Sequence, residues 1–264
     1  MNAGVARYFK LTVAYDGTGF SGWQVQPNQR TIQGHLQDAL KRLTGEQTQV
    51  VGSGRTDAGV HAHAQVASCS LVWRDSAQHL LRALNTQLPG TIVVHEAVDA
   101  CQGFHAIRDA ISKRYRYQLQ VGGVRDAFDY RYRWHLHGEL DLDQMRLAAQ
   151  RLVGIHDFKS FQAAGGERKT TVRNVRACEL IASATTDDDA CHLSIEVEAD
   201  GFLYNMVRTI VGTLVEVGRG KQTVEWIDQV LAACDRDAAG PTAPACGLFL
   251  KRVDYPDSVV RSYD

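Results

Sequence analysis

The order of strand-like and helical segments is the feature that most restricts how this chain can fold. Residues 9–15 alternate apolar and polar side chains, which predicts a half-buried strand. Over residues 31–45 apolar side chains recur at helical spacing, with Thr31 able to cap the start and Gly45 able to end the helix. Further segments give the first half a β-α-β-α-β order: strands near 47–52 and 64–73, a helix at 76–88, and a strand from residue 91.

The second half repeats this pattern. Its predicted elements are strands at 114–121 and 132–137, a helix at 142–153 opened by Asp141, strands at 172–182 and 191–199 joined by a polar turn with Asp187, Asp188 and Asp189, helices at 203–217 and 223–233, and a closing strand at 247–253. This mixture predicts an α+β fold with mixed, mainly antiparallel sheets, each covered by helices on one face. A length of 264 residues allows one large or two small domains, and the repeated order of elements favours two ferredoxin-like or RRM-like lobes, 1–108 and 109–264.

Composition narrows the class of protein further. Hydrophobic residues make up 44% and charged residues 22%, which excludes disordered and fibrous chains. No apolar run approaches the roughly 18 residues that span a bilayer, and the N-terminus does not have a signal-peptide pattern. The six cysteines form no CxxC pair, which indicates reduced, mostly buried thiols. We therefore expect a cytoplasmic protein with no membrane segment.

The net charge of −1 argues mildly against a nucleic-acid partner, but the charge is unevenly distributed. Residues 101–176 contain 14 Lys or Arg against 8 Asp or Glu, whereas residues 177–200 contain 7 acids and no Lys or Arg. If the basic segment lines a cleft, the field there would be positive despite the total, and binding would weaken steeply with salt.

Two glycine-rich segments are candidates for different kinds of functional site. Gly17-Thr-Gly19-Phe-Ser-Gly22 matches the dinucleotide-binding pattern GxGxxG, but the next helix waits until about Thr31 instead of opening at once. The segment GSGRTDAGVHAHAQV (52–66) lacks the ending of a phosphate-binding loop. It places Asp57 two residues after Arg55, where a guanidinium could keep the carboxylate ionised for use as a base or nucleophile. A pair that merely ties down a turn is equally consistent.

Three other features have a structural and a functional interpretation. His61 and His63 are a weak zinc signal with no third ligand at a suitable spacing, and a strand with one packed and one exposed histidine is the simpler explanation. In KRYRY (113–117) the tyrosines share one strand face and the arginines the other, which suits RNA but also a two-sided strand with its tyrosines packed inward. The apolar helix after residue 203 carries Arg208, which needs an acidic partner if it is buried.

Four of these segments, taken in order, resemble the tRNA-uridine isomerase family of tRNA pseudouridine synthases. They are YDGTGFSGWQVQ (15–26), GRTDAGVHA (54–62), FHA with KRYRY (104–117) and GFLYNMVR (201–208), and the resemblance runs from about residue 8 to residue 253. It implies an RNA-modifying isomerase with an active site in a central cleft between the lobes. It also implies a homodimer, no metal, no organic cofactor, and tRNA as partner, modified at positions 38 to 40 of the anticodon arm.

The resemblance also implies roles for individual residues. Asp57 matches the catalytic aspartate, Tyr115 the tyrosine that stacks on the target uracil, and Arg208 the arginine that pairs with that aspartate. Arg55 matches an arginine that helps to flip the base. The substrate-binding set implied by the same motifs is Arg55, His105, Lys113, Arg114 and Arg116.

Two positions depart from the family pattern. Ile107 follows FHA where arginine is usual, with Arg108 one place on; in an extended segment Arg108 would point to the other face. Ala64 occupies a position where glycine is expected, so the backbone there could be tighter than usual.

The implied reaction detaches uracil at its N1–C1′ bond, rotates it and rejoins it through C5. A carboxylate near C1′ stabilises the oxocarbenium-like state, either by covalent attack or by removing the C2′ proton. Two other functions fit parts of the sequence: a non-catalytic RNA-binding protein that uses the KRYRY strand as its platform, and a nucleoside hydrolase acting on small molecules.

Overall fold

A computed structural model describes residues 5–165, 169–182 and 190–260. In chain order the elements are β1 (Arg7–Tyr15), α1 (Ile32–Thr44), β2 (Val50–Gly52), β3 (His61–Leu71), α2 (Ala77–Gln87), β4 (Ile92–Ala100), β5 (Ser112–Val121), β6 (Trp134–Leu136), α3 (Leu142–Gln150), β7 (Gly154–Asp157), β8 (Val172–Ala182), β9 (Cys191–Ala199), α4 (Met206–Gly218), α5 (Trp226–Ala233) and β10 (Leu248–Asp254). The predicted α+β class is confirmed. The polar turn predicted at Asp187 lies outside the described residues.

The chain divides into two compact units. The first contains the chain up to Ile111 together with the segment from Leu250 onward, and the second runs from Ser112 to Phe249. The lobes expected from the sequence, 1–108 and 109–264, differ from these units mainly in the closing segment. That segment, with most of β10, belongs to the first unit, where β10 lies beside β3 in the sheet.

The first unit has a ferredoxin-like β-α-β-β-α-β arrangement. Its strands follow the order β4-β1-β3, with β2 and β10 also beside β3. Strand β1 pairs antiparallel with β3 and β4, and β2 pairs antiparallel with β3. The half-buried strand predicted from alternation is confirmed in β1, whose apolar side chains are all buried: Phe9, Leu11, Val13 and Tyr15. Helices α1 and α2 pack against each other, and α2 packs on β4.

Local signals set the helix boundaries in this unit. The Thr31 side chain accepts a hydrogen bond from the Gly34 amide, and Gly45 ends α1 in a left-handed conformation, as predicted. Ser76 caps α2 in the same way by accepting from the His79 amide. The sequence therefore fixes both helices through their ends as well as their apolar faces.

The second unit repeats the order β-α-β-β-α with β5, α3, β8, β9 and α4. Its strands follow the order β5-β9-β8-β7 in antiparallel pairs, and β6 pairs with β5 in parallel. The expected mixed, mainly antiparallel sheet is thus confirmed. Helix α4 is buried on nearly every side and forms the centre of the unit's core.

Gly212 on α4 shows how closely the chain packs there. A Cβ at this position would lie 1.7 Å from the Pro241 carbonyl oxygen, so only glycine admits the loop that follows α5. Within the described ranges no helix is long and apolar enough to cross a membrane. The six cysteines are free thiols, and Cys69 and Cys178 are the two that are fully buried, fewer than expected.

Candidate functional site

The loop that carries Asp57, residues 54–60, joins β2 to β3 and is held firmly at its start. The Ser53 amide donates to the Val66 carbonyl at 2.7 Å. The buried Gln65 side chain accepts from the Ser53 hydroxyl at 2.6 Å and donates to the Gly54 carbonyl at 2.9 Å. A buried amide with these partners fixes where the loop leaves the sheet.

The glycine-rich segment 15–26 packs directly against this loop. The Trp23 amide donates to the Thr56 carbonyl at 3.0 Å, and the Tyr15 and Thr56 hydroxyls lie 2.8 Å apart. A Cβ on Gly17 would lie 2.0 Å from the Val60 carbonyl oxygen, and one on Gly22 would lie 2.5 Å from the Thr56 carbonyl oxygen. Gly17 and Gly22 of the GxGxxG pattern therefore admit the Asp57 loop, and α1 begins only at Ile32, so no helix follows the pattern directly as a dinucleotide fingerprint requires.

Asp57 is half-buried at the turn of the loop, between two residues that are fully packed. Thr56 and Val60 are buried, and the Val60 amide closes the turn by donating to the Asp57 carbonyl at 3.1 Å. Burial raises the pKa of Tyr15 to about 12, so its hydroxyl stays protonated beside Thr56. Arg55 is exposed, and backbone hydrogen bonds hold the turn itself.

The two histidines after the loop differ in environment. His61 is buried, and its Nδ1 accepts a hydrogen bond from the Gly17 amide at 3.0 Å, whereas His63 is exposed. This confirms the strand with one packed and one exposed histidine. Among the residues that the structure describes, no group of three or more His, Cys, Asp or Glu side chains is placed to hold a metal ion.

Ala64 lies at an irregularity of β3. Val13 pairs with Gln65 and Tyr15 pairs with Ala62, so β3 contains one residue more than β1 over this interval. A bulge of this kind re-aims the following side chain, and here it accompanies the inward position of Gln65. Ala64 has no positive φ, so alanine fits where the family pattern has glycine.

The FHA segment is a series of turns, so the extended conformation considered for Arg108 is wrong. The His105 amide donates to the Asp109 carboxylate at 2.8 Å, and the Ile107 and Arg108 amides point at His105 Nδ1, at 3.2 and 3.4 Å. Because Nδ1 accepts, a neutral His105 carries its proton on Nε2. Ile107 and Arg108 are both exposed.

In the second unit, β5 brings Tyr115 beside the GFLYNMVR segment. Tyr115 and Tyr117 are buried on one face, as predicted, and the Tyr115 ring meets the Phe202 ring edge-on with centroids 5.0 Å apart. The Tyr117 hydroxyl donates to the Pro244 carbonyl at 2.8 Å, and burial raises its pKa well above the usual range. Two motifs that are 86 residues apart, counted from Tyr115 to Gly201, thus meet within the second unit.

Arg208 lies at the start of α4 and is half-buried. Its Nε donates to the Ala243 carbonyl at 2.7 Å, and its Nη1 donates to the Asn205 side-chain oxygen at 2.9 Å. Asn205 has a left-handed backbone with φ of 60°, so α4 begins at Met206 and not at Leu203 as predicted. The guanidinium is held in a fixed orientation by groups of its own unit.

The arginines of KRYRY are involved in an ion-pair network across three strands. The Glu196 side chain is 1% exposed, and its carboxylate forms ion pairs with Arg114 at 3.0 Å and with Arg116 at 2.7 Å. Arg114 also contacts Glu179 at 3.2 Å and Glu198 at 3.1 Å. Acids from the segment 177–200 thus offset much of the positive charge that the sequence assigned to this strand.

Most of the chain matches one known protein family. The family described as tRNA pseudouridine synthase matches residues 11–107 and 148–256, which include Asp57 and Arg208. The chain belongs to the tRNA pseudouridine synthase family. It is therefore an isomerase.

Relatives match this tRNA pseudouridine synthase over nearly its whole length. Proteins named tRNA pseudouridine synthase A from Moorella thermoacetica and Brevibacillus brevis are 48% and 46% identical, covering 93% of this chain and 98% of each relative. The one from Citrifermentans bemidjiense is 43% identical over 95% of this chain and 98% of its own length.

Three residues that hold the candidate residues in place were not singled out from the sequence, although they lie within the quoted motifs. They are Gln65, Phe202 and Asn205, and nothing in their residue types indicates which side chain or carbonyl each one contacts. Glu196 could have been suspected from the run of acids after residue 177, because a basic strand needs an acidic neighbour if it is half-buried.

Proposed function

We propose that this isomerase converts uridine to pseudouridine at positions 38 to 40 in the anticodon arm of tRNA, with Asp57 as its essential group. Membership of the family supports the reaction class. The observation that carries the assignment of Asp57 is its loop, which a buried glutamine and two close glycine contacts hold in one conformation. Such preorganisation is what electrostatic catalysis requires.

The chemistry that Asp57 would perform is defined by the bonds that change. The N1–C1′ bond breaks, the uracil turns, a C5–C1′ bond forms, and the proton on C5 leaves while N1 gains one. One ionised carboxylate can stabilise the positive charge at C1′ by attack or can take the C2′ proton. Both routes regenerate the carboxylate, so the enzyme needs no added reactant.

Tyr115 and Arg208 are the other two residues that we place in the machinery. Base flipping costs a few kcal/mol, and a ring that stacks on the extruded uracil offsets part of that cost. The edge-on Phe202 contact holds the Tyr115 ring in place for this role. The family resemblance implies that Arg208, which Asn205 and Ala243 hold in place, is the arginine that pairs with the catalytic aspartate.

The ion-pair network suggests different roles in RNA binding for the two arginines of β5. We propose that Arg116 contacts phosphate, together with Arg55, Lys113 and His105, and that Arg114 is mainly structural. Arg114 is 20% exposed and has a carboxylate at each of its three nitrogens. Among the described residues Arg116 pairs with Glu196 alone, and its side chain is 33% exposed, so part of its guanidinium faces solvent.

Salt titration of tRNA binding distinguishes these two arginines. Arg116→Gln should reduce the slope of log affinity against log salt by about 1, because one phosphate contact is lost. Arg114→Gln should leave the slope unchanged and instead lower the melting temperature, since three carboxylates lose their common partner. Equal slopes for Arg116→Gln and the wild type would remove Arg116 from the RNA contacts.

Release of tritium from tRNA labelled at uridine C5 tests the proposed function. We expect release from tRNA with uridine at positions 38 to 40 and none from tRNA lacking uridine there. A non-catalytic RNA-binding protein would bind tRNA without releasing tritium. A nucleoside hydrolase would liberate free uracil and would not require folded tRNA, and either outcome would contradict the proposal.

The proposal includes two assembly features that the family resemblance implies. We propose a homodimer, to be checked by sedimentation, and a cytoplasmic location, where tRNA substrates are found. The reaction as written also runs without a metal or an organic cofactor, so turnover should survive treatment with a chelator.

A further inference from the structure

The loop between β5 and β6, residues 122–133, exposes unusually large apolar side chains. Phe128 is 90% exposed, Val124 is 83% exposed, and Tyr130 is exposed nearly by half. We call this segment the aromatic loop. Burial of a phenylalanine side chain is favourable, and the Phe128 ring is not buried by its own chain.

Hydrogen bonds hold the aromatic loop in a defined conformation. The buried Gln120 side chain donates to the Val124 carbonyl at 2.6 Å and accepts from the Asp126 amide at 3.1 Å. The Asp126 carboxylate accepts from the amides of Phe128 at 2.6 Å and Asp129 at 3.3 Å. The exposed ring is therefore presented by an ordered turn, which lowers the entropic cost of binding a partner.

Positive charge lies beside the exposed rings. The guanidinium groups of Arg125 and Arg131 lie over the Tyr130 ring, 5.8 and 5.4 Å from its centre, and Arg131 Nε donates to the Tyr130 hydroxyl at 2.9 Å. The two aspartates of the loop already have partners within it, since Asp129 pairs with Arg133 at 2.7 Å and Asp126 caps the turn. The loop thus presents aromatic rings and arginines together.

We propose that the aromatic loop is a second RNA contact, in which Phe128 stacks on an unpaired base of the tRNA and Arg125 and Arg131 face its phosphates. Every base has a face that an aromatic ring can cover, and arginine beside such rings suits a polyanion. A symmetric contact with a second copy centred on this loop would bring like charges together, which disfavours that occupant. This inference rests on the proposed function, because it takes tRNA as the substrate.

Phe128→Ala tests the proposal through tRNA binding and turnover measured separately. We expect the tRNA affinity to fall about 10-fold, the loss typical of one stacked base. KM should rise by a similar factor with kcat unchanged, because the loop is assigned no part in the chemistry. Phe128→Trp should restore the affinity, since it keeps a ring at the site.

The control is Ile155→Ala, which truncates another exposed apolar side chain, on β7, and should leave the affinity unchanged. An affinity for Phe128→Ala equal to that of this control would overturn the inference. So would a variant that binds tRNA normally but dissociates in sedimentation, because the loop would then cover a second copy. If the wild type releases no tritium, the proposed function fails, while the binding measurement still tests the loop.

Discussion

Asp57→Asn should abolish tritium release from tRNA while leaving the protein folded and able to bind its substrate. Asparagine keeps the size of the side chain, and the turn is closed by the backbone bond from Val60, which the substitution does not touch. What is lost is the negative charge opposite C1′. We expect turnover to fall by at least about 1,000-fold, because no other group can replace a preorganised charge at the reacting centre.

Binding and a matched substitution show that the loss is chemical. The tRNA affinity of Asp57→Asn should stay within about threefold of the wild type, since phosphate contacts dominate the affinity. Asp143→Asn, which makes the same change at an exposed position on α3, should retain full activity. Turnover near the wild-type rate in Asp57→Asn would remove Asp57 from the mechanism.

Local sequence signals predicted most elements of this fold. The strand β1 follows from alternation alone, and α1, α2 and α3 follow from apolar spacing, with Thr31 and Asp141 predicted to begin α1 and α3. The strand β7 was not predicted. It has four residues and forms because it pairs with β8, a partner that no short window of sequence reveals.

The site was predictable to a different extent. The motifs singled out Asp57, Tyr115 and Arg208 as candidates, and the alternation in β5 correctly placed both tyrosines on one face. The partners of the arginines were not predictable, because register alone places Arg116 opposite Glu196 and Arg114 opposite Glu198. A count of charges along the chain therefore overestimates the positive field, since neighbouring strands bring the acids back to the same face.

The contact between Gly17 and the Asp57 loop leads to the second large effect. In Gly17→Ala the new Cβ would lie 2.0 Å from the Val60 carbonyl oxygen, whereas real contacts of this kind lie beyond 3.0 Å. The Cβ is bonded directly to the backbone and the oxygen is a backbone atom, so neither can rotate away. The Asp57 loop must therefore move by about 1 Å. A displacement of that size at a reacting group typically lowers turnover about 100-fold.

The same overlap should lower the stability of the fold. Overpacking of this kind costs about 3 kcal/mol, which corresponds to a fall in melting temperature of roughly 6–12 °C for a chain of this size. Gly90→Ala is the matched control, because a Cβ there meets nothing within 4 Å and should change neither quantity. If calorimetry and tritium release found Gly17→Ala indistinguishable from Gly90→Ala, the glycine contacts would not be what positions Asp57. Activity lost far beyond the loss of stability would instead show that this contact sets the position of the carboxylate.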